Sequence, residues 1–183
     1  MSEAAVPLAV LGTRWAESER WDVRWRGFLW RRAEPIPLSP VRFLDWTVDG
    51  APLRDRLALL YGAPCTDITF LTEGSRGDAF AVESLRALVL ENESGVEPWV
   101  QFTDGRAGVL FCPQCGDLAC GAVSADVRVT ASAVEWRDIA YQDGISEAIQ
   151  IDEVPAFTLR FDRAQYEATV RGLLMQWSSP SDA

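Results

Sequence analysis

The chain contains no histidine and no lysine: all 17 of its basic residues are arginine, against 27 acids. Without histidine there is no Ser-His-Asp triad, no Cys-His protease pair and no His-ligated metal centre. Without lysine there is no Schiff-base nucleophile and no P-loop phosphate lysine. Any catalysis has to rest on Cys, Asp, Glu, Tyr or Arg. No apolar run approaches the ~20 residues that span a bilayer. The first residues, Met1-Ser2-Glu3-Ala4-Ala5, lack the basic start of a signal peptide, which predicts a cytoplasmic protein. A net charge of −10 opposes binding to phosphate backbones and anionic membranes. Neither nucleic acid nor a membrane is therefore expected as partner; a neutral or basic protein is.

What the chain does have is a cysteine cluster. Three of its four cysteines, Cys112, Cys115 and Cys120, fall within nine residues, in Phe111-Cys112-Pro113-Gln114-Cys115-Gly116-Asp117-Leu118-Ala119-Cys120-Gly121-Ala122. Cys-Pro-x-Cys-Gly after an apolar run has the form of a metal knuckle: proline stiffens the turn, the thiols at i and i+3 share a side, and glycine permits positive φ. Tetrahedral zinc needs a fourth donor. Cys65, in Gly62-Ala63-Pro64-Cys65, is the remaining thiol, and Asp117 or water are alternatives. The expectation is a structural zinc held by Cys112, Cys115, Cys120 and Cys65, with a redox or reactive thiol, or plain structural cysteines, left open. A site shared between two chains of a homodimer also fits the pattern. Asp117 beside the knuckle, and no helix starting at it, disfavour a lowered thiol pKa.

Eight tryptophans form the second feature, with Trp15, Trp21, Trp25 and Trp30 crowded among Arg14, Arg20, Arg24, Arg26, Arg31 and Arg32. Most should fill the core, but aromatic-plus-Arg surfaces are where interface hot spots concentrate. Trp21, Arg24, Trp25, Arg26 and Trp30 are the expected partner-binding residues. A tryptophan-lined small-molecule pocket is another reading. The acidic run Asp138, Asp143, Glu147, Asp152 and Glu153 has no catalytic spacing and reads as a solvated surface.

In chain order, Val6–Leu11 reads as a short edge strand and Gly12–Arg20 as a polar loop. Trp21–Arg31 alternates like a half-buried strand, Glu34–Pro40 reads as a proline-stiffened connection, and Val41–Val48 as a strand closed by Asp49-Gly50. An amphipathic helix is predicted over 52–61, stopped by Gly62. Thr66–Thr72 reads as a possible strand, and Ala79–Glu91 as a helix capped by Asp78. Trp99–Thr103 with Ala107–Phe111, then Val123–Thr130 with Val134–Tyr141, read as hairpins, and Pro155–Phe161 as a strand. Asp162-Arg163-Ala164-Gln165 has capping-box spacing and opens a last helix with Tyr166, Val170, Leu173, Leu174 and Trp177 on one stripe. These elements predict one α+β domain over 1–177, a mainly antiparallel sheet with about three helices, and a disordered tail over 178–183.

The apolar strand Val109-Leu110-Phe111, the Cys112–Ala122 segment and the element Trp136-Arg137-Asp138-Ile139-Ala140-Tyr141 together resemble a little-characterised group of bacterial proteins. That group shares a C-P-x-C-G-D-x-x-C-G-A core, and Phe161-Asp162-Arg163-Ala164-Gln165-Tyr166 also resembles it. The likeness covers roughly residues 100–170 and implies that 112–122 act as one unit. The group has no established activity, so the resemblance implies none here. The expectation is a zinc-stabilised cytoplasmic protein-interaction module without catalysis; the alternative is a thiol-dependent redox enzyme using Cys112, Cys115 and Cys120.

Overall fold

The computed structural model describes residues 6–26, 32–89, 100–114, 117–149 and 156–179. Among these, eight strands and three helices form an α+β fold. The strands are β1 (Leu8–Ala9), β2 (Leu11–Arg26), β3 (Arg32–Val48), β4 (Ala51–Pro52), β5 (Ala107–Phe111), β6 (Ala122–Val129), β7 (Ala133–Gln142) and β8 (Phe157–Asp162). They make a five-stranded sheet in the order β1-β8-β7-β6-β5 and a three-stranded sheet in the order β2-β3-β4. Only β1 and β8 pair in parallel; the other pairings are antiparallel.

The expected short edge strand near the start is β1. The polar stretch 12–20 and the proline-rich stretch 34–40 are not loops: both lie inside a long ribbon made by β2 and β3. For 34–40 the physical reason is solvent on both faces, every position but Ile36 being exposed; in 12–20, where Ser18 is buried, exposed and half-buried residues follow no regular alternation. Beyond Arg20 the ribbon leaves the body, and Trp21, Asp22, Arg24, Arg26 and Ala33 to Pro35 are all exposed. Such a ribbon needs no apolar alternation. Pro35 and Pro37 sit two apart, so their missing N–H groups share one side of β3, and a strand with an open edge there loses no ladder bond. The register also slips between Ser18 and Arg20, an irregularity that re-aims the side chains around it.

The turn after β3 is Asp49-Gly50, both at positive φ (54° and 81°), the geometry that lets β4 fold straight back. Helix α1 (Leu53–Tyr61) follows, buries Leu53 and Leu57, and ends at Gly62 in the left-handed region. Helix α2 (Ala79–Val89) starts at Asp78, whose Oδ1 accepts from the Phe80 N–H at 2.7 Å. Helix α3 (Arg163–Ser178) starts at Asp162, whose side chain accepts from the Gln165 N–H at 3.0 Å. The Gln165 side chain does not close a capping box. Instead it donates to Leu11 O (2.6 Å) and accepts from Leu11 N–H (3.1 Å), clamping the start of β2 to the last helix.

Three tryptophans with described side chains fill the core: Trp46, Trp136 and Trp177, none more than 2% exposed. Trp136 is the hub, edge-on to Trp46 (5.9 Å), Phe161 (5.4 Å) and Tyr166 (6.1 Å), so it joins β3, β8 and α3. In β7 the register shifts between Trp136 and Ile139, and Asp138 takes a φ of 51°. The extra residue turns Arg137 and Asp138 outward while Trp136 and Ile139 both stay buried.

Candidate functional site

Segment 66–72, expected as a strand, is two isolated bridges that stitch the sheets together. Ile68 and Phe111 exchange backbone hydrogen bonds (2.9 and 2.7 Å), and Leu44 N–H donates to Leu71 O at 2.8 Å. The stitch covers the outer edge of β5, which is buried at every position. It also carries Cys65, three residues before Ile68, toward Cys112, one residue after Phe111. The two thiols line one groove of about 590 Å³. Both cysteines are free, whereas Cys120 is disulfide-bonded. In that oxidation state Cys120 offers no thiolate. Cys115 lies outside the described residues. Among the described residues no group of three or more His, Cys, Asp or Glu side chains is placed to hold a metal ion.

The cysteine turn is seated by close backbone contacts. Gly121 has a φ of 88°, and a Cβ there would stand 2.5 Å from Gln142 O. A Cβ on Gly144 would stand 1.8 Å from Leu118 O and 2.6 Å from Ala119 O. So the turn over 118–121 lies directly on the Asp143-Gly144 turn at the end of β7. Tyr141 holds both sides together: its hydroxyl donates to Cys120 O, and its N–H donates to the Tyr61 hydroxyl at 2.9 Å. The described part of the Cys112–Ala122 segment and the Trp136–Tyr141 element therefore touch in space.

Burial dominates the electrostatics around Cys65. Burial pushes the Cys65 thiol up to about 11; the Asp67 carboxylate adds to this, while the Asp67 N–H and Arg54 oppose it. Burial likewise raises Asp67, against the pull of Arg54. Burial first, then Asp67, Asp143 and Cys112, raises Tyr141. Arg54 lines the groove and pairs through Nε with Asp45 Oδ2 at 3.0 Å. Asp45 is fully buried, its Oδ1 has no partner, and burial outweighs Arg54 to raise its carboxyl. A protonated Cys65 is a poor nucleophile at neutral pH but still a metal ligand once Zn²⁺ displaces its proton.

Of the expected partner-binding residues, Trp21 is 46% exposed and lines the same groove as Cys65 and Cys112, beside Glu17 and Glu19. Arg24 and Arg26 are exposed on the ribbon, and Arg26 Nε pairs with Glu34 at 2.8 Å. The Trp25 side chain and Trp30 lie outside the described residues. Trp15, 40% exposed, leans at a tilt against Trp177 (centroids 6.5 Å apart) with Arg42 over its ring at 5.1 Å.

Sequence reasoning missed a buried polar network behind the cysteine turn. Arg106, 5% exposed, donates from Nε to Ser124 Oγ (3.0 Å) and from Nη2 to Ser124 O (3.0 Å) and Asp138 O (2.5 Å). Ser124 Oγ donates to Gln142 Oε1 (2.8 Å), and Gln142 Nε2 donates to Asp104 Oδ2 and Glu147 O (3.0 Å each). Burial lowers the Arg106 pKa despite Asp104. An isolated arginine in a turn gives no warning of this, because its partners come from two separate strands, β6 and β7. Of the acidic run, Asp138 contributes its backbone carbonyl, and the Glu147 carboxylate accepts from Thr103 N–H at 3.0 Å.

Comparison with family models, with curated proteins and with solved structures finds no match to this chain. No helix among the described residues is long and apolar enough to cross a membrane.

Proposed function

We propose that this protein is a cytoplasmic protein-interaction module whose cysteine turn binds zinc in its reduced state, and that it performs no catalysis. The observation that supports this best is the shared groove: Trp21 at the root of the ribbon lines it together with Cys65 and Cys112. A metal there would stiffen the surface from which the ribbon projects. Such a two-stranded ribbon is marginally stable in water on its own, which suits it to being covered by a partner. The acidic body favours a neutral or basic protein partner, and the exposed arginines of the ribbon can stack on or pair with it.

Zinc binding requires the Cys120 disulfide to open, with two electrons and two protons supplied by a thiol reductant. Cys65, Cys112, Cys115 and Cys120 are then the ligands, each losing its proton to the solvent as the metal binds. The test is elemental analysis of protein purified under reducing conditions without chelator, beside a free-thiol count. About one zinc per chain is expected, and Cys115→Ser should lose metal and stability together. Metal content unchanged by that substitution rejects the proposal. Half a zinc per chain points to a homodimer sharing the site.

The second reading, a thiol-dependent redox enzyme using Cys112, Cys115 and Cys120, is favoured by the contrast between a free Cys112 and a disulfide-bonded Cys120 on one turn. It predicts a Cys112 alkylation rate well above that of a free thiol at neutral pH, and no bound metal.

A further inference from the structure

A second cavity, of about 310 Å³, lies on the other side of the Cys112-Pro113-Gln114 ridge. Aromatic rings give it an apolar lining: Phe70 stacks on Phe111 with centroids 3.9 Å apart, and Phe80 leans on Phe70 at 5.6 Å. Arg20 also lines it, placed there by the register slip next to Ser18. Its Nε is shielded from water and has no hydrogen-bond partner. With Nε closed off, a ligand in the cavity meets the rest of the half-buried Arg20 side chain. Among the described residues Asp78 is the one acid in the lining, and it is already engaged: its Oδ1 caps α2 through the Phe80 N–H at 2.7 Å. The helix N-terminus further offsets its charge.

We infer that this cavity binds a small single-ring aromatic carboxylate, the ring against Phe70, Phe80 and Phe111 and the carboxylate on the Arg20 guanidinium. A guanidinium presents paired, coplanar donors that match the two oxygens of a carboxylate. The volume is at the small end for ligand pockets, which holds the ligand to about one ring. The acidic protein repels anions in general, so Arg20 is the group that makes an anion acceptable here. The cavity shares its Cys112–Gln114 wall with the thiol groove, but Arg20 and the three phenylalanines that would hold the ligand are not among the proposed metal ligands.

The test is calorimetric titration of the full chain, in reducing buffer, with phenylacetate, benzyl alcohol and acetate. Phenylacetate should bind at least about tenfold more tightly than either of the other two, because only it fills both halves of the site. Arg20→Gln should weaken phenylacetate by about tenfold or more, and Arg20→Lys, which keeps the charge but not the fork, should fall between. Circular dichroism and the thermal midpoint of each variant report whether the fold is kept, and Arg20→Lys still tests the site if Arg20→Gln does not fold. No phenylacetate binding, equal binding of benzyl alcohol or acetate, or affinity indifferent to Arg20 would each overturn the inference.

Discussion

The indole N–H of Trp136 donates to the hydroxyl of Tyr166 at 2.9 Å, and that hydroxyl donates in turn to Leu88 O at 2.9 Å. Both rings are fully buried, so a strand, the last helix and α2 are tied by two hydrogen bonds that water cannot replace. Tyr166→Phe keeps the ring and orphans a donor and an acceptor. It should cost about 1–3 kcal/mol, read as a lowered urea midpoint at unchanged m-value.

Cys65 and its surroundings make stability depend on alkaline pH. The thiol is raised from an ordinary 9.0 to about 11, so the contribution of its neutral form is fully present below pH 9 and is lost as pH rises through about 11. Urea midpoints across that window should fall more steeply for the native chain than for Cys65→Ser. Iodoacetamide should modify Cys65 slowly at pH 8 and faster toward pH 11, which peptide mapping of the alkylated chain resolves.

Two glycines should respond in opposite directions to the same substitution. Gly144→Ala drives a methyl into Leu118 O and Ala119 O, both backbone atoms that can yield only if the cysteine turn moves. A loss of about 1–3 kcal/mol is expected, with faster hydrogen exchange at Gly121, whose N–H donates to Leu118 O at 2.8 Å. Gly172 lies within α3 with open space around its Cβ position, and Gly172→Ala should stabilise by about 0.5–1 kcal/mol.

Trp21 and Trp136 separate surface from core. Trp21→Ala should shift the unfolding free energy by no more than about 0.5 kcal/mol, because the ring is half exposed on the ribbon. Trp136→Ala removes the hub of the aromatic cluster and should cost about 3–5 kcal/mol. Equal losses by thermal melt would mean that the ribbon is part of the core.

The elements that were legible in the sequence are those with one wet face and one dry. Leu53 and Leu57 marked α1, and Tyr166, Val170, Leu173 and Trp177 marked α3; all are buried. Of the ribbon, Trp21–Arg26 and Val41–Val48 were read as strands; 12–20 escaped because it lacks apolar alternation, and 34–40 because Pro35 and Pro37 are breakers only where a neighbour needs their N–H. Of the site, the turn beginning at Cys112 was visible as spacing. That Cys65 arrives beside it depends on the Ile68–Phe111 bridge, a pairing with no local signature. The Arg106 network was equally silent, since its members are single polar residues scattered over β6, β7 and the preceding turn.

The parallel pairing of Leu8 with Arg160 and Ala9 with Phe161 gives the order of synthesis a structural meaning. Leu8 and Ala9 wait for partners made more than 150 positions later, and Leu11 waits for Gln165. A nascent chain can build the β2–β3 ribbon early, but it holds an unfilled sheet edge until β8 and α3 have left the ribosome. A chain that stalls before β8 therefore displays Leu8–Leu11 as a free adhesive end. Completion of this sheet falls to β8 and α3.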